Sequence, residues 1–324
     1  MILELAAASL LALGAATQHT DTTVSVRPGA RLELNDFGGS IVISGWDRNA
    51  VRVAADCPAE TRAVVEVGAS AVTVRSVRVL RIPDLERPGG ARVTLIGMPA
   101  TVDYRLSVPR WMDLRLSGVN TAMDIQGVEG QVQAETVRGP LTLVGGRRLV
   151  RMSAVQGGVR VEGTRGRVEA RSVEEGVSLL DVEGDVQVES VNGDLRLERI
   201  ASDDVEASTV SGAVLYQGTL RDDGRYRFAS HTGDLTVVVP DRASAAVSVS
   251  TFNGDFDSSF PVQLQKVGRS RSFDFVLGSG RAELELESFS GSIRLQRPGE
   301  PVAPESGARG HRVIRKIVRI REER

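Results

Sequence analysis

A repeat of about eighteen residues runs through the middle of the chain and restricts its fold more than any other feature. The stretch Ser190-Val191-Asn192-Gly193-Asp194-Leu195-Arg196-Leu197 matches Thr136-Val137-Arg138-Gly139-Pro140-Leu141-Thr142-Leu143 and, far downstream, Ser288-Phe289-Ser290-Gly291-Ser292-Ile293-Arg294-Leu295. The template is a hydroxyl residue, an apolar residue, any residue, glycine, then apolar residues two and four places later. Followed along the chain, the glycine position falls at Thr121, Gly139, Gly157, Glu175, Gly193, Gly212, Gly233, Gly254 and Gly291, with spacings of 18, 18, 18, 18, 19, 21, 21 and 37. A second series at Met112, Gly130, Arg148, Gly166, Gly184, Asp203, Gly224, Ala245 and Ala282 keeps the same spacings.

After each anchor the pattern alternates, as in Val186 and Val188 around Gln187 or Leu195 and Leu197 around Arg196. A period of two with one apolar face is a half-buried strand. Each unit therefore holds two short strands and two turns. Glycine tolerates the positive φ of tight turns, and the recurring hydroxyls (Thr136, Ser172, Ser190, Thr209, Ser230, Thr251, Ser288) can bond nearby backbone. The reading is an all-β chain, a parallel β-solenoid of about 18-residue two-strand coils. An antiparallel β meander or sandwich is the alternative, but it gives no reason for residue identity to recur on every second strand. Residues 22–111 read as an irregular β-rich N-terminal cap, 112–297 as the solenoid and 298–310 as a linker.

The order of Gly39-Ser40-Ile41-Val42-Ile43-Ser44-Gly45-Trp46-Asp47-Arg48, then Tyr104-Arg105-Leu106-Ser107-Val108-Pro109, then the ladder ending at Ser288-Phe289-Ser290-Gly291, resembles the bacterial putative-adhesin family of β-strand-repeat envelope proteins, a domain of unknown function. The resemblance spans about Val24 to Arg297. It implies a β-repeat fold, an exported or envelope location and no enzyme activity, and it carries over no catalytic residues.

Composition narrows the chemistry. Forty basic against 42 acidic residues leave a net charge of −2, so no global field draws the chain to nucleic acid. Cys57 is the only cysteine, which removes an intramolecular disulfide and a thiolate zinc site. The histidines, His19, His231 and His311, are too scattered for a ligand motif. Neither a catalytic residue nor a cofactor or metal site is expected.

Three features of the repeat are candidate sites. His231 takes the corner position filled elsewhere by Val137, Val155, Val173, Val191, Val210, Phe252 and Phe289; it reads as packed and hydrogen-bonded rather than as a base near Asp234. Asp185, Asp194, Asp234 and Asp255 follow their anchors, yet without a Gly-Gly-x-Gly-x-Asp repeat they read as solvated turn residues rather than calcium ligands. Arg115, Gln133, Arg151, Glu169, Gln187, Glu206 and Arg227 form an outward column suited either to solubility or to an extended polysaccharide or protein partner.

The ends point to location. Residues 2–16 form an apolar run ending in small residues, as in a signal peptide over 1–16, although it has Glu4 and no basic residue. Residues 311–324 place Val313, Ile314, Ile317 and Val318 on one helical face opposite cations, a basic amphipathic tail for membrane-surface contact. These observations suggest an exported, non-catalytic binding or structural module of the periplasm or cell surface. The alternatives are an enzyme on envelope polysaccharide and a regulatory partner in envelope-stress sensing.

Overall fold

The computed structural model describes residues 18–83, 91–96, 101–261, 265–267 and 271–300. The expected signal peptide and basic tail, and all but the first three residues of the linker, lie outside these residues. Seven strands come first: β1 (Gln18–Ser25), β2 (Arg31–Trp46), β3 (Ala50–Cys57), β4 (Thr61–Val67), β5 (Ala71–Pro83), β6 (Ala91–Ile96) and β7 (Thr101–Pro109). The regular block is β8 (Asp113–Gln126), β9 (Val132–Arg138), β10 (Leu141–Val144), β11 (Val150–Gln156), β12 (Val159–Glu162), β13 (Val168–Ser172), β14 (Val177–Leu180), β15 (Val186–Ser190), β16 (Leu195–Thr209), β17 (Val214–Ser230) and β18 (Leu235–Val238). The C-terminal end holds β19 (Ala245–Thr251), β20 (Phe256–Ser258), β21 (Gln265–Val267), β22 (Arg271–Leu277), β23 (Ala282–Ser288) and β24 (Ile293–Gln296). Among the described residues there is no helix.

The regular block pairs in parallel with the period read from the sequence. Leu141 lies beside Met123 on one side and Val159 on the other, and Val150 lies between Val132 and Val168. This is a β-solenoid, not a meander. Inward positions such as Val132, Ala134, Leu141 and Leu143 are fully buried, so each coil closes around a thin aliphatic core. Each regular coil keeps the two strands expected and adds a short third side that is not strand. The five residues from Gly145 to Leu149 form no strand, yet their backbone bonds the next coil, as in Gly145 N to Glu162 O at 2.8 Å and Arg165 N to Gly146 O at 2.9 Å. Val128, Thr164, Val182 and Ile200 fill that corner.

Both ends of the stack depart from chain order in the same way. At the N-terminal end, β2 inserts between β8 and the layer made by β5 and β7, all parallel. The stack of coils thus includes Arg31–Trp46, a segment the sequence reading placed in the cap. Antiparallel strands then cover the outer edges: β3 on β7, β1 on β3, and β4 on β5. At the C-terminal end, β23 and β24 insert between the β17–β18 layer and the β19–β20 layer, and β22 and then β21 close β19 antiparallel. The 37-residue interval is therefore a detour out and back. Each detour puts an antiparallel hairpin where an open parallel edge would otherwise invite pairing with another chain.

Gly39 and Gly139 adopt the positive φ expected of the corner glycines, but the later ones, from Gly157 to Gly291, do not. Gly193 does not adopt positive φ; a methyl group there would overlap the carbonyl of Glu175 in the coil beneath. Close backbone approach, not turn geometry, requires glycine at that position. The hydroxyl three places earlier ties the two layers. Ser190 Oγ accepts from Gly193 N at 3.0 Å and donates to Glu175 O at 3.3 Å, and Ser230 does the same with Gly233 N and Gly212 O.

Gly193→Ala is expected to lower the unfolding free energy by about 1–3 kcal/mol, the range for a forced overlap. Ser190→Ala should cost about 1–3 kcal/mol by leaving buried backbone groups unpaired. Urea denaturation of both variants checks these values.

Candidate binding surface

Because the hydroxyl points inward, the next residue on the strand points outward. The carbonyl of each such residue accepts from the chain one coil on: Val155 O from Glu174 N, Val173 O from Asn192 N, Val191 O from Ser211 N, His231 O from Ser290 N and Phe289 O from Asn253 N. These bonds and the strand registers align ten residues in one column: Phe37, Val119, Val137, Val155, Val173, Val191, Val210, His231, Phe289 and Phe252. The nine apolar members are 37–62% exposed. The sequence reading placed His231 in a packed, hydrogen-bonded corner. The structure instead leaves it exposed, its ring stacked on Phe289 at 4.7 Å between centroids, and Phe289 in turn on Phe252 at 5.0 Å. Parity carries the signal: in a period-two strand, a neighbour of an inward hydroxyl must face out.

The charged column lies four positions before the ridge on each strand, as Arg151 does before Val155. Glu33 extends it below Arg115, and Glu285 continues it beyond Arg227. Its charges are internally matched: Arg151 reaches Glu169 at 2.7 Å and Arg227 reaches Glu285 at 2.7 Å. Burial pushes the Glu169 carboxyl up, but Arg151 and Arg167 outweigh it and hold it below its usual range. On the third side a groove of about 530 Å³ has Gly127, Gly145 and Gly163 along its floor. Arg110, Arg147 and Arg165 line it, paired with Asp47, Glu129 and Glu183 at 2.9, 3.3 and 3.4 Å.

Two of the turn aspartates, Asp194 and Asp234, bond the neighbouring layer. Asp194 accepts from Ala213 N at 2.7 Å, and Asp234 accepts from Ser292 N at 2.9 Å and Arg294 at 3.0 Å. They are inter-coil clamps, a role missed by a reading as solvated turn residues. Among the described residues no three His, Cys, Asp or Glu side chains gather as metal ligands. Cys57 is fully buried, and burial raises its thiol pKa.

One buried acid breaks the corner rule. In Asp36-Phe37-Gly38-Gly39 a carboxyl occupies the hydroxyl position, 7% exposed. Thr121 Oγ1 donates to its Oδ2 at 3.0 Å, while Oδ1 has no partner among the described residues. A serine can donate to the layer below; an ionised carboxylate cannot. Burial raises the Asp36 pKa to about 6, against the Thr121 hydrogen bond that lowers it.

Against this geometry, residues 113–296 match the family model described as Toastrack DUF4097, and the chain belongs to that family. Among solved structures it is similar to a "putative adhesin" from Parabacteroides merdae, 8% identical over 86% of this chain and 96% of that one, with a TM-score of 0.46. A "putative adhesin" from Bacteroides fragilis is 10% identical over 87% and 98%, with a TM-score of 0.42. A "putative lipid binding protein" from Parabacteroides distasonis is 10% identical over 86% and 96%, with a TM-score of 0.37. No curated protein matches the sequence.

The Asp36 shift sets a pH dependence. A folded pKa of about 6, above the ordinary aspartate value of 3.8, favours the native state at low pH. That contribution is complete below the unfolded pKa and is lost as pH rises through about 6, amounting to about 3 kcal/mol. Asp36→Ser, which restores a hydroxyl, should raise the unfolding free energy at pH 7.5 and remove this component between pH 4 and 7.5. Urea melts across that range measure it.

Proposed function

We propose that the chain is an exported, non-catalytic module of the bacterial cell envelope that binds an extended polymer, polysaccharide or protein, along a rigid repeated β surface. The observation that carries this reading is the in-register outward column from Glu33 through Arg115, Arg151 and Arg227 to Glu285. Parallel pairing repeats it at about 4.8 Å per layer. A polymer lying along such a face meets a donor or acceptor at each layer. Contacts that are weak singly then combine, because each later contact forms at high effective concentration. The apolar run over 2–16 supports export. The cationic, amphipathic pattern of 311–324 supports a second, electrostatic contact with an anionic membrane surface.

Retention of the purified chain on peptidoglycan and on surface polysaccharide or envelope protein fractions tests the reading. Replacing Arg115 and Arg151 together by alanine should lower retention about tenfold if each makes a polar contact. Release of soluble sugar products would favour an enzyme instead, and absence of retention on every fraction would refute the polymer surface. Deleting residues 311–324 should reduce co-sedimentation with anionic vesicles and leave polymer retention unchanged.

A further inference from the structure

The exposed corner ridge has no role in the polymer surface, and a column of nine apolar side chains is an unusual thing to leave in water. Its two flanking columns indicate what covers it. On the strand side, two residues before each ridge residue, stand Glu135, Ser153, Arg171 and Glu189; on the corner side, one residue after, stand Arg138, Gln156, Glu174 and Asn192. Within a layer the flanks carry opposite charges where both are charged: Glu135 with Arg138, and Arg171 with Glu174.

The geometry points to a second copy of this chain as the occupant, docked side by side, parallel and in register about a two-fold axis along the stack. Such an axis sets each ridge residue against its own counterpart and each strand-side flank against the partner's corner-side flank. Glu135 then meets the partner's Arg138, and Arg171 meets the partner's Glu174. In the other layers at least one member of the facing pair is uncharged, as in Ser153 with Gln156 and Glu189 with Asn192. No layer opposes like charges across the flanks.

Pairing within the chain leaves room for these contacts. Arg138 bonds Gln156 Oε1 at 2.9 Å and Asn120 Oδ1 at 3.3 Å and has no carboxylate partner among the described residues. Among the described residues the Glu135 side chain accepts only from Gln133, at 2.8 Å, and that of Glu174 only from Gln156, at 3.1 Å. Arg171 is shared with Glu189 at 3.2 Å. Ten layers at about 4.8 Å make a strip roughly 43 Å long. With a width of about 14 Å it buries about 600 Å² per copy, the lower end for a specific interface. An antiparallel arrangement centred on Val155 also opposes Arg138 to Glu174 but overlaps fewer layers, because Val155 lies nearer one end of the column.

Sedimentation of the full chain should show a concentration-dependent dimer. Val137→Cys, Val173→Cys and Val210→Cys should each oxidise to a disulfide-linked dimer, since every ridge residue faces itself; the buried Cys57 does not interfere. Glu135→Arg or Arg138→Glu alone should weaken the dimer about tenfold, and the two combined should restore it, because the exchange rebuilds the pair. Cross-linking at Val155→Cys but not at the other three positions would overturn the parallel register. A monomer at all concentrations, or ridge substitutions that alter vesicle or polysaccharide binding of a monomeric chain, would overturn self-association.

Discussion

The closeness of backbone to backbone at the hydroxyl corner governs the rest of the structure. At Gly193, Gly233 and Gly291 a Cβ would overlap the carbonyl of the layer beneath, so the glycines there admit no other side chain without displacement. With the corner pinned, the following strand starts at a fixed height, and inward and outward residues fall into columns. The buried hydroxyl supplies the polar satisfaction that the compressed turn would otherwise lack, accepting one amide and donating to one carbonyl. Asp36 marks the limit of this device, since its carboxyl fills the same place with a group that burial disfavours when ionised.

Much of the fold was legible because columns in space are periods in sequence. The eighteen-residue spacing, the inward alternation and the hydroxyl-to-glycine interval all reappear as pairings such as Leu141 with Val159 and as the Ser190 staple. The short third side was not legible, since Gly145–Leu149 lacks alternation and is joined to the next coil by irregular backbone hydrogen bonds rather than a strand ladder. Nor was the spatial order of the last coils. Gly254 follows Gly233 in sequence, yet Gly291 lies between them, and local patterning carries no information about such a long-range insertion. The ridge was half legible: Val137, Val155, Val173, Val191, Val210, Phe252 and Phe289 align with His231 in the repeat, but reading His231 as packed and hydrogen-bonded overlooked the parity that turns this position outward.

The surface divides into columns with different chemistry for the same reason. One outward position of each strand collects charged residues that pair up and down the stack, as Arg151 does with Glu169. Two positions beyond the neighbouring column, the corner collects valine and phenylalanine. In-register stacking brings identical side chains together, which is tolerable for valine and favourable for stacked rings such as Phe289 and Phe252, but repulsive for repeated like charges. Keeping like charges out of adjacent layers of the charged column, as Gln133 does between Arg115 and Arg151, is therefore a condition of the architecture as well as a feature of its surface.

The inversions at both ends alter how the array holds together. In a simple solenoid each coil contacts only its sequence neighbours, and the end can fray one layer at a time. Here β17 pairs with β23, joining Arg225 to Glu283, while β19 and β20 depend on β23 and β24 for their inner edge. Opening the outermost coil therefore exposes the edge of a strand that is later in the chain, and removing that later strand strands the outer coil. The N-terminal insertion of β2 between β7 and β8 imposes the same dependence. Closing such long loops slows folding, yet it makes each end a cooperative unit with the layers it covers rather than a loose terminal repeat.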